Sequence, residues 1–156
     1  WNGDRYHNCQ CSSLEIKRYT RKISGPLLDR IDIHIRVPRV KYDELTSKRK
    51  AESSAKVRER VSAARNVQLE RLSKYHLFCN AQMNHAMMQE LCTLTPAAKD
   101  LLKAVFESKK LSARSYDRII KVARTIADLD KNAAEISDKH IAEAVKLRND
   151  FDLDTV

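Results

Sequence analysis

From residue 54 to 148 the sequence runs through one helical period after another, most of them opened by a start signal, and this restricts it to an architecture of packed helices. Val57, Val61, Ala64, Gln68 and Leu72 step by three or four residues, which predicts one long helix over 54–73. A shorter helix runs from Met83 to Leu91, with Ala86, Met87 and Leu91 on its apolar face. Thr95-Pro96 then supplies a capping hydroxyl and a proline at a position where the missing N–H costs nothing. In the helix that follows, Ala98, Leu101, Leu102, Val105 and Phe106 share one side. Ser112 caps another, whose Tyr116, Ile119, Ile120, Ala123, Ile126 and Ala127 are dense enough for a central, largely buried place. Ser137 caps the last, 138–148, with Ile141, Ala144, Val145 and Arg148 at helical spacing. Single apolar stripes must cover one another. The fold class is therefore mainly α: a bundle of four helices over 80–148, preceded by one long helix, with 149–156 expected to fray.

Ahead of the bundle one stretch has a different period. Ile31, Ile33, Ile35 and Val37 alternate strictly, which predicts a half-buried strand over 31–37, ended by Pro38. A compact turn, Ser24-Gly25-Pro26, leads into it through Leu27-Leu28. The run has no partner in the sequence. A lone strand leaves its backbone groups unpaired, so it is expected to join a sheet whose other members lie upstream of Trp1. Residues 1–21 are polar and weakly patterned, and 39–53 are charged without a sustained apolar period, as in a linker.

The glycine count limits the chemistry. There are two, Gly3 and Gly25, and no G-x-x-x-x-G-K-[ST]. A phosphate-wrapping loop needs glycines so that backbone N–H groups can approach the phosphates, and a lysine to reach the terminal ones. These 156 residues are not expected to turn over ATP by themselves.

Two arginine motifs carry a mechanism. In Leu27-Leu28-Asp29-Arg30-Ile31-Asp32, Arg30 stands at the mouth of the expected strand between two carboxylates. In Leu111-Ser112-Ala113-Arg114-Ser115-Tyr116, Arg114 falls in the first turn of the central helix, where the dipole disfavours a cation unless an anion is met there. Taken singly, each is also the pattern of an ordinary solvated arginine.

With the Ile119–Leu129 run that follows, these segments resemble the magnesium-chelatase-like branch of the AAA+ ATPases, most closely its competence-helicase type, and the similarity covers nearly the whole chain. The resemblance implies that 1–38 is the C-terminal edge of the α/β ATPase core, 39–53 a linker and 54–148 the helical lid. It implies that Arg30 is a catalytic arginine finger reaching the ATP site of a neighbouring subunit. Arg114 is implied to be sensor 2, contacting the γ-phosphate bound by its own chain. ATP and Mg²⁺ are the implied cofactors of the intact protein, with none expected on this chain alone, and a hexameric ring acting on branched DNA during uptake and recombination is the implied assembly. Guanidinium groups suit phosphoryl transfer, where the protein mainly positions and neutralises spread negative charge. The ATPase subunit of a magnesium chelatase, driving metal insertion into a porphyrin, stays open as an alternative. So does a helical nucleic-acid-binding module with no ATPase history.

Cys9-Gln10-Cys11 is half of a metal site at best, since two thiolates cannot fill zinc's four positions. His7 could add a third ligand. In the resembling type another Cys-x-Cys lies just upstream, so a zinc site is implied only with upstream cysteines. An idle pair is the plainer reading. Cys79 and Cys92 read as buried thiols, and His34, His76, His85 and His140 share no ligand spacing.

Charge is divided unevenly. Residues 1–74 hold 18 Lys+Arg against 9 Asp+Glu, and 75–156 hold 12 of each. The excess points to a polyanion, nucleic acid or nucleotide phosphate, although a solvated basic face has the same composition. No apolar run approaches a membrane span. The unevenly spaced cysteines do not read as a disulfide framework, and a cytoplasmic location with no membrane partner is expected.

Overall fold

The computed structural model describes residues 8–35, 37, 39–47, 51–131 and 133–149. Helix α1 (Ser13–Thr20) opens on a reciprocal cap. The Ser12 hydroxyl accepts from Glu15 N–H at 3.3 Å, and the Glu15 carboxylate accepts from Ser12 N–H at 2.8 Å. None of its residues is buried. The single turn α2 (Gly25–Leu28) is capped by Ser24, which accepts from Leu27 N–H, and Pro26 occupies the first turn. The turn expected at Ser24-Gly25-Pro26 is thus closed into helix.

The strand predicted over 31–37 is not formed among the described residues. Ile33 and Ile35 are 48% and 61% exposed, and His34 between them is 8% exposed. His34 alone turns inward, with Asp32 exposed like the isoleucines, and no neighbouring strand among the described residues offers a ladder. His34 N–H instead donates to the carbonyl of Leu147, at 2.7 Å, at the end of the bundle's last helix. Arg36 and Pro38 lie outside the described residues. Within the stretch expected as a linker, Tyr42–Thr46 is helical (α3).

The bundle follows the sequence pattern closely. Helix α4 (Ser54–Leu72) starts at Ser53, whose hydroxyl accepts from Lys56 N–H. It buries Ala64, Gln68 and Leu72 in its second half, and Val57 and Val61 stay exposed. Two 3₁₀ turns, Ser73–Tyr75 and Asn80–Gln82, lead to α5 (His85–Leu91), capped by Asn84. Met88 is the buried residue of α5, and Ala86 faces solvent. Helix α6 (Pro96–Ser108) begins at Thr95, and α7 (Ala113–Leu129) at Ser112, each by the expected hydroxyl cap. Helix α8 (Asp138–Asn149) follows, its first turn closed by Ile141 N–H on the Ser137 carbonyl.

Helix α7 is the centre of the packing, touching α4, α5 and α8, while α6 lies on α8. Leu72, Ala98, Ala123, Ala127, Ile136 and Ile141 are fully enclosed in one core. A parallel bridge, Leu94 with Ile136, ties the entries of α6 and α8 together. No helix among the described residues is long and apolar enough to cross a membrane.

Candidate functional site

The first turn of α7 and the turn after α2 meet, although about 84 residues separate the two arginine motifs. Asp29 makes the junction. Its Oδ2 accepts from the Ser112 hydroxyl at 3.2 Å, and its Oδ1 from the Ser115 hydroxyl at 3.0 Å. Three residues on, Asp32 forms an ion pair with Arg118 of α7. The segment holding Arg30 therefore lies along the face of α7 that begins at Arg114.

Arg30 is exposed, and its side chain's one bond among the described residues is Nη1 to the Pro26 carbonyl, 2.7 Å, within its own turn. A single solvent-accessible bond of this kind contributes roughly 0.5–1.5 kcal/mol net, so the guanidinium is easily released toward an anion. Arg114 is exposed and has no hydrogen-bond or ion-pair partner among the described residues. It lines a groove of about 340 Å³ with Asp32, Asp117, Arg118 and Lys121. Arg114, Arg118 and Lys121 recur at helical spacing along one face of α7. Arg118 is held by Asp32, and Lys121 donates to the Ala81 carbonyl at 3.1 Å. Asp117 is engaged by His85 Nδ1 at 2.8 Å. Arg114 is thus the cation of the groove whose side chain has no partner among the described residues.

Arg148, in the last turn of α8, completes the junction. Its Nη1 donates to the Ile31 carbonyl at 2.9 Å. Its Nη2 reaches the Ser115 hydroxyl at 3.1 Å and Asp29 Oδ1 at 3.4 Å. The Arg148 carbonyl meets His34 Nδ1 at 3.2 Å, and since a carbonyl only accepts, that nitrogen carries the proton. Burial lowers the Arg148 pKa, opposed by the Asp29 carboxylate and helped by the nearby Arg118. The guanidinium remains charged.

The structure thus brings the Arg30 and Arg114 motifs together through residues to which sequence reasoning gave no role at the site: Asp29, Asp32, Ser112, Ser115, Arg118 and Arg148. The signal available was the pair of carboxylates around Arg30 and the two serines around Arg114, each short enough to bond only to a close neighbour. Cys9 and Cys11 stand apart, in the stretch before α1, the first half-buried and the second exposed. Bonds from the Cys11 backbone and side chain lower the Cys9 pKa, and Cys11, as the second thiol of the pair, is raised. Among the described residues no three His, Cys, Asp or Glu side chains gather as a metal site, and His7 lies outside them. Two donors do not satisfy zinc.

Comparison with known proteins gives concordant matches. Residues 51–148 match the family described as magnesium chelatase, subunit ChlI C-terminal, and residues 1–45 match magnesium chelatase, subunit ChlI. The chain is 38% identical over 143 residues to competence protein ComM of Haemophilus influenzae, covering 91% of this chain and 27% of that protein. It is 36% identical over 144 residues to uncharacterized protein YifB of Escherichia coli, again covering 91% and 27%. A Mycobacterium tuberculosis relative is 31% identical over 122 residues, or 78% of this chain and 24% of that protein. The chain spans about a quarter of the length of these curated relatives.

Proposed function

The chain belongs to the magnesium chelatase ChlI family, and on that premise we propose that it supplies two phosphate-facing arginines and a helical lid to a ring-forming, ATP-driven motor. The observation that carries this reading is the junction at Asp29, which bonds the Arg30 turn to the first turn of α7 and so joins it to Arg114. Two guanidiniums carried on joined segments suit a single triphosphate, whose transferring group spreads charge over several oxygens. The sequence lacks the glycine loop that would hold the β- and γ-phosphates, so the nucleotide and its Mg²⁺ would be held by a P-loop-bearing core. Arg30 acts there as the finger and Arg114 as the γ-phosphate sensor. Because the two are joined through one set of bonds, both serve the same nucleotide, the one bound by the neighbouring subunit. Family resemblance alone would assign Arg114 to its own chain's site.

The polyanion moved by this motor is DNA. The +9 excess of residues 1–74, the Cys9-Gln10-Cys11 and Ile31-Asp32-Ile33-His34-Ile35 segments, which resemble the competence-helicase type, and the 38% identity to competence protein ComM support that. The matched family descriptions favour a second reading, the ATPase subunit of a magnesium chelatase. ATPase assays with duplex or branched DNA, and with a porphyrin and its partner subunits, separate the two by which substrate stimulates turnover.

The test of the arginine assignment is mixing. In the intact ATPase, Arg30→Ala is expected to keep nucleotide binding and to lower hydrolysis by about 10³ or more. Arg114→Ala is expected to weaken nucleotide affinity and turnover together. Co-assembly with subunits disabled in the P-loop but carrying both arginines should restore turnover to either variant. Rescue of Arg30→Ala without rescue of Arg114→Ala would return Arg114 to its own chain's site. Parent-rate hydrolysis by Arg30→Ala would remove the finger altogether.

A further inference from the structure

We propose that Arg148 is a positioning residue for ATP hydrolysis, clamping the residues on both sides of Arg30, the Ile31 carbonyl and the Asp29 carboxylate, to the first turn of α7 so that Arg30 and Arg114 are presented as one preset pair. This rests on the ATP-site reading above. Arg148 touches neither arginine's working end. It holds the residues on either side of Arg30 in sequence. One arm of its fork takes the Ile31 carbonyl, and the other takes Ser115 and Asp29. Asp29 is fixed in turn by Ser112 and Ser115, and Ser115 directly follows Arg114.

Two features make this more than packing. The Arg148 side chain is 8% exposed, whereas Asp29 is 42% exposed, so a largely buried cation has been placed to hold a surface turn. Its bonds also diverge. A planar guanidinium can serve a carbonyl and a hydroxyl–carboxylate pair at once from fixed directions, and a lysine's single ammonium cannot. Helix α8 favours a cation in its last turn, and His34 bonds the same turn through Leu147 and Arg148. The Arg30 turn is therefore seated on α7 and α8 together. Displacing a phosphate-facing group by about 1 Å costs on the order of 10²-fold in rate, which is the scale at which such a clamp matters.

The experiment uses the intact ATPase with Arg148→Ala, Arg148→Lys, Arg30→Ala and the Arg30→Ala/Arg148→Ala double variant. Arg148→Ala is expected to lower kcat by about 10²-fold while KM for ATP stays within about threefold, the signature of an interaction made in the transition state. Arg148→Lys should recover part of the loss, and it keeps the test open if the alanine variant fails to fold. The double variant should hydrolyse no more slowly than Arg30→Ala, since a clamp has nothing to position once the finger is gone. Mixing with P-loop-disabled subunits that carry Arg30 and Arg148 should restore turnover to Arg148→Ala. Multiplicative losses in the double variant would overturn the proposal, as would failure of the mixing rescue, which marks a folding role. Parent-rate turnover by both Arg148 variants alongside a crippled Arg30→Ala would overturn the clamp and leave the ATP-site reading standing. Parent-rate turnover by Arg30→Ala would take down both.

Discussion

Asp128 lies one turn beyond Arg124 on α7, and both side chains are almost wholly out of solvent. Its carboxylate takes Arg124 Nε at 3.1 Å, Asn80 Nδ2 at 2.8 Å and an ion pair with Arg71. The Arg124 fork runs on to the carbonyls of Ala133 and Ala134. One anion thus ties α4, the Asn80–Gln82 turn, α7 and the loop before α8. Removing a partner from a buried pair leaves an uncompensated charge, which costs about 3–5 kcal/mol. Asp128→Ala is expected to lose that much in urea unfolding, against less than about 0.5 kcal/mol for an exposed change such as Glu143→Ala. The network was hard to read from sequence, because Arg124 and Asp128 look like polar punctuation in an apolar stripe. Only their four-residue spacing within so dense a run hinted that they face inward as a pair. Cys92, in the same core, has its thiol pushed up from an ordinary 9 to about 11 by burial, against the pull of Arg124 and Arg71. The folded state then holds a proton that the unfolded state releases, so Cys92's contribution is intact below pH 9 and declines from pH 9 to about 11. Two pH units correspond to about 2–3 kcal/mol. The stability gap between the parent and Cys92→Ala should narrow by that order over this window in denaturant titrations, and a gap independent of pH would contradict the buried-thiol account.

At the scale of elements, the capping hydroxyls were the most legible part of the chain. Thr95 and Ser112 each take a backbone N–H three residues on, at 3.2 and 3.1 Å, as the sequence pattern required. Ser12 with Glu15 was as regular a signal, yet α1 was not foreseen, because its apolar residues make no stripe. The strand over 31–37 failed for a physical reason. Alternation specifies which residues share a face, and the core decides which face is buried. Without a ladder among the described residues, His34 went inward and the isoleucines outward. The caps also offer a controlled comparison. The Thr95 hydroxyl caps α6 and makes no other bond among the described residues, whereas the Ser112 hydroxyl caps α7 and also bonds Asp29. Thr95→Ala should cost about 1 kcal/mol of stability and, on the proposed ATP-site reading, leave ATP turnover of the intact protein unchanged. Ser112→Ala should cost a similar amount and also lower turnover, because it loosens the Arg30 turn. Equal turnover in the two variants would show that the Asp29 junction does not bear on the site.

Across the whole molecule, the basic excess is gathered where the helices bury least. Helix α1 and the turn after it expose Lys17, Arg18, Arg21 and Lys22, with Glu15 the one acid in the helix. None of the four has a carboxylate partner among the described residues, and Lys22 lies 5.6 Å over the Tyr19 ring. Farther along, Arg60 is taken by Glu52, and Lys74 by Glu90, so part of the formal charge is already occupied. The composition alone could not make this distinction, because a net charge counts paired and unpaired cations alike. Binding through such a cluster would replace condensed counterions at phosphates, with log K falling by about 0.9 per phosphate per unit of log salt on duplex DNA. Four cations predict a slope of roughly two to four, weak and indifferent to sequence. In a ring the same patch would recur around the assembly, so that grip accumulates while each contact stays easy to release. Titration of labelled duplex with this chain between about 20 and 200 mM salt measures the slope. Reversing all four charges with Lys17→Glu, Arg18→Glu, Arg21→Glu and Lys22→Glu should abolish binding, whereas reversing the paired Arg60 should change it little. Binding that survives the fourfold reversal would move the DNA contact to α4, whose Lys56 and Arg58 are also exposed. No binding at about 20 mM salt, where electrostatic reach exceeds 10 Å, would assign the basic half to the nucleotide instead.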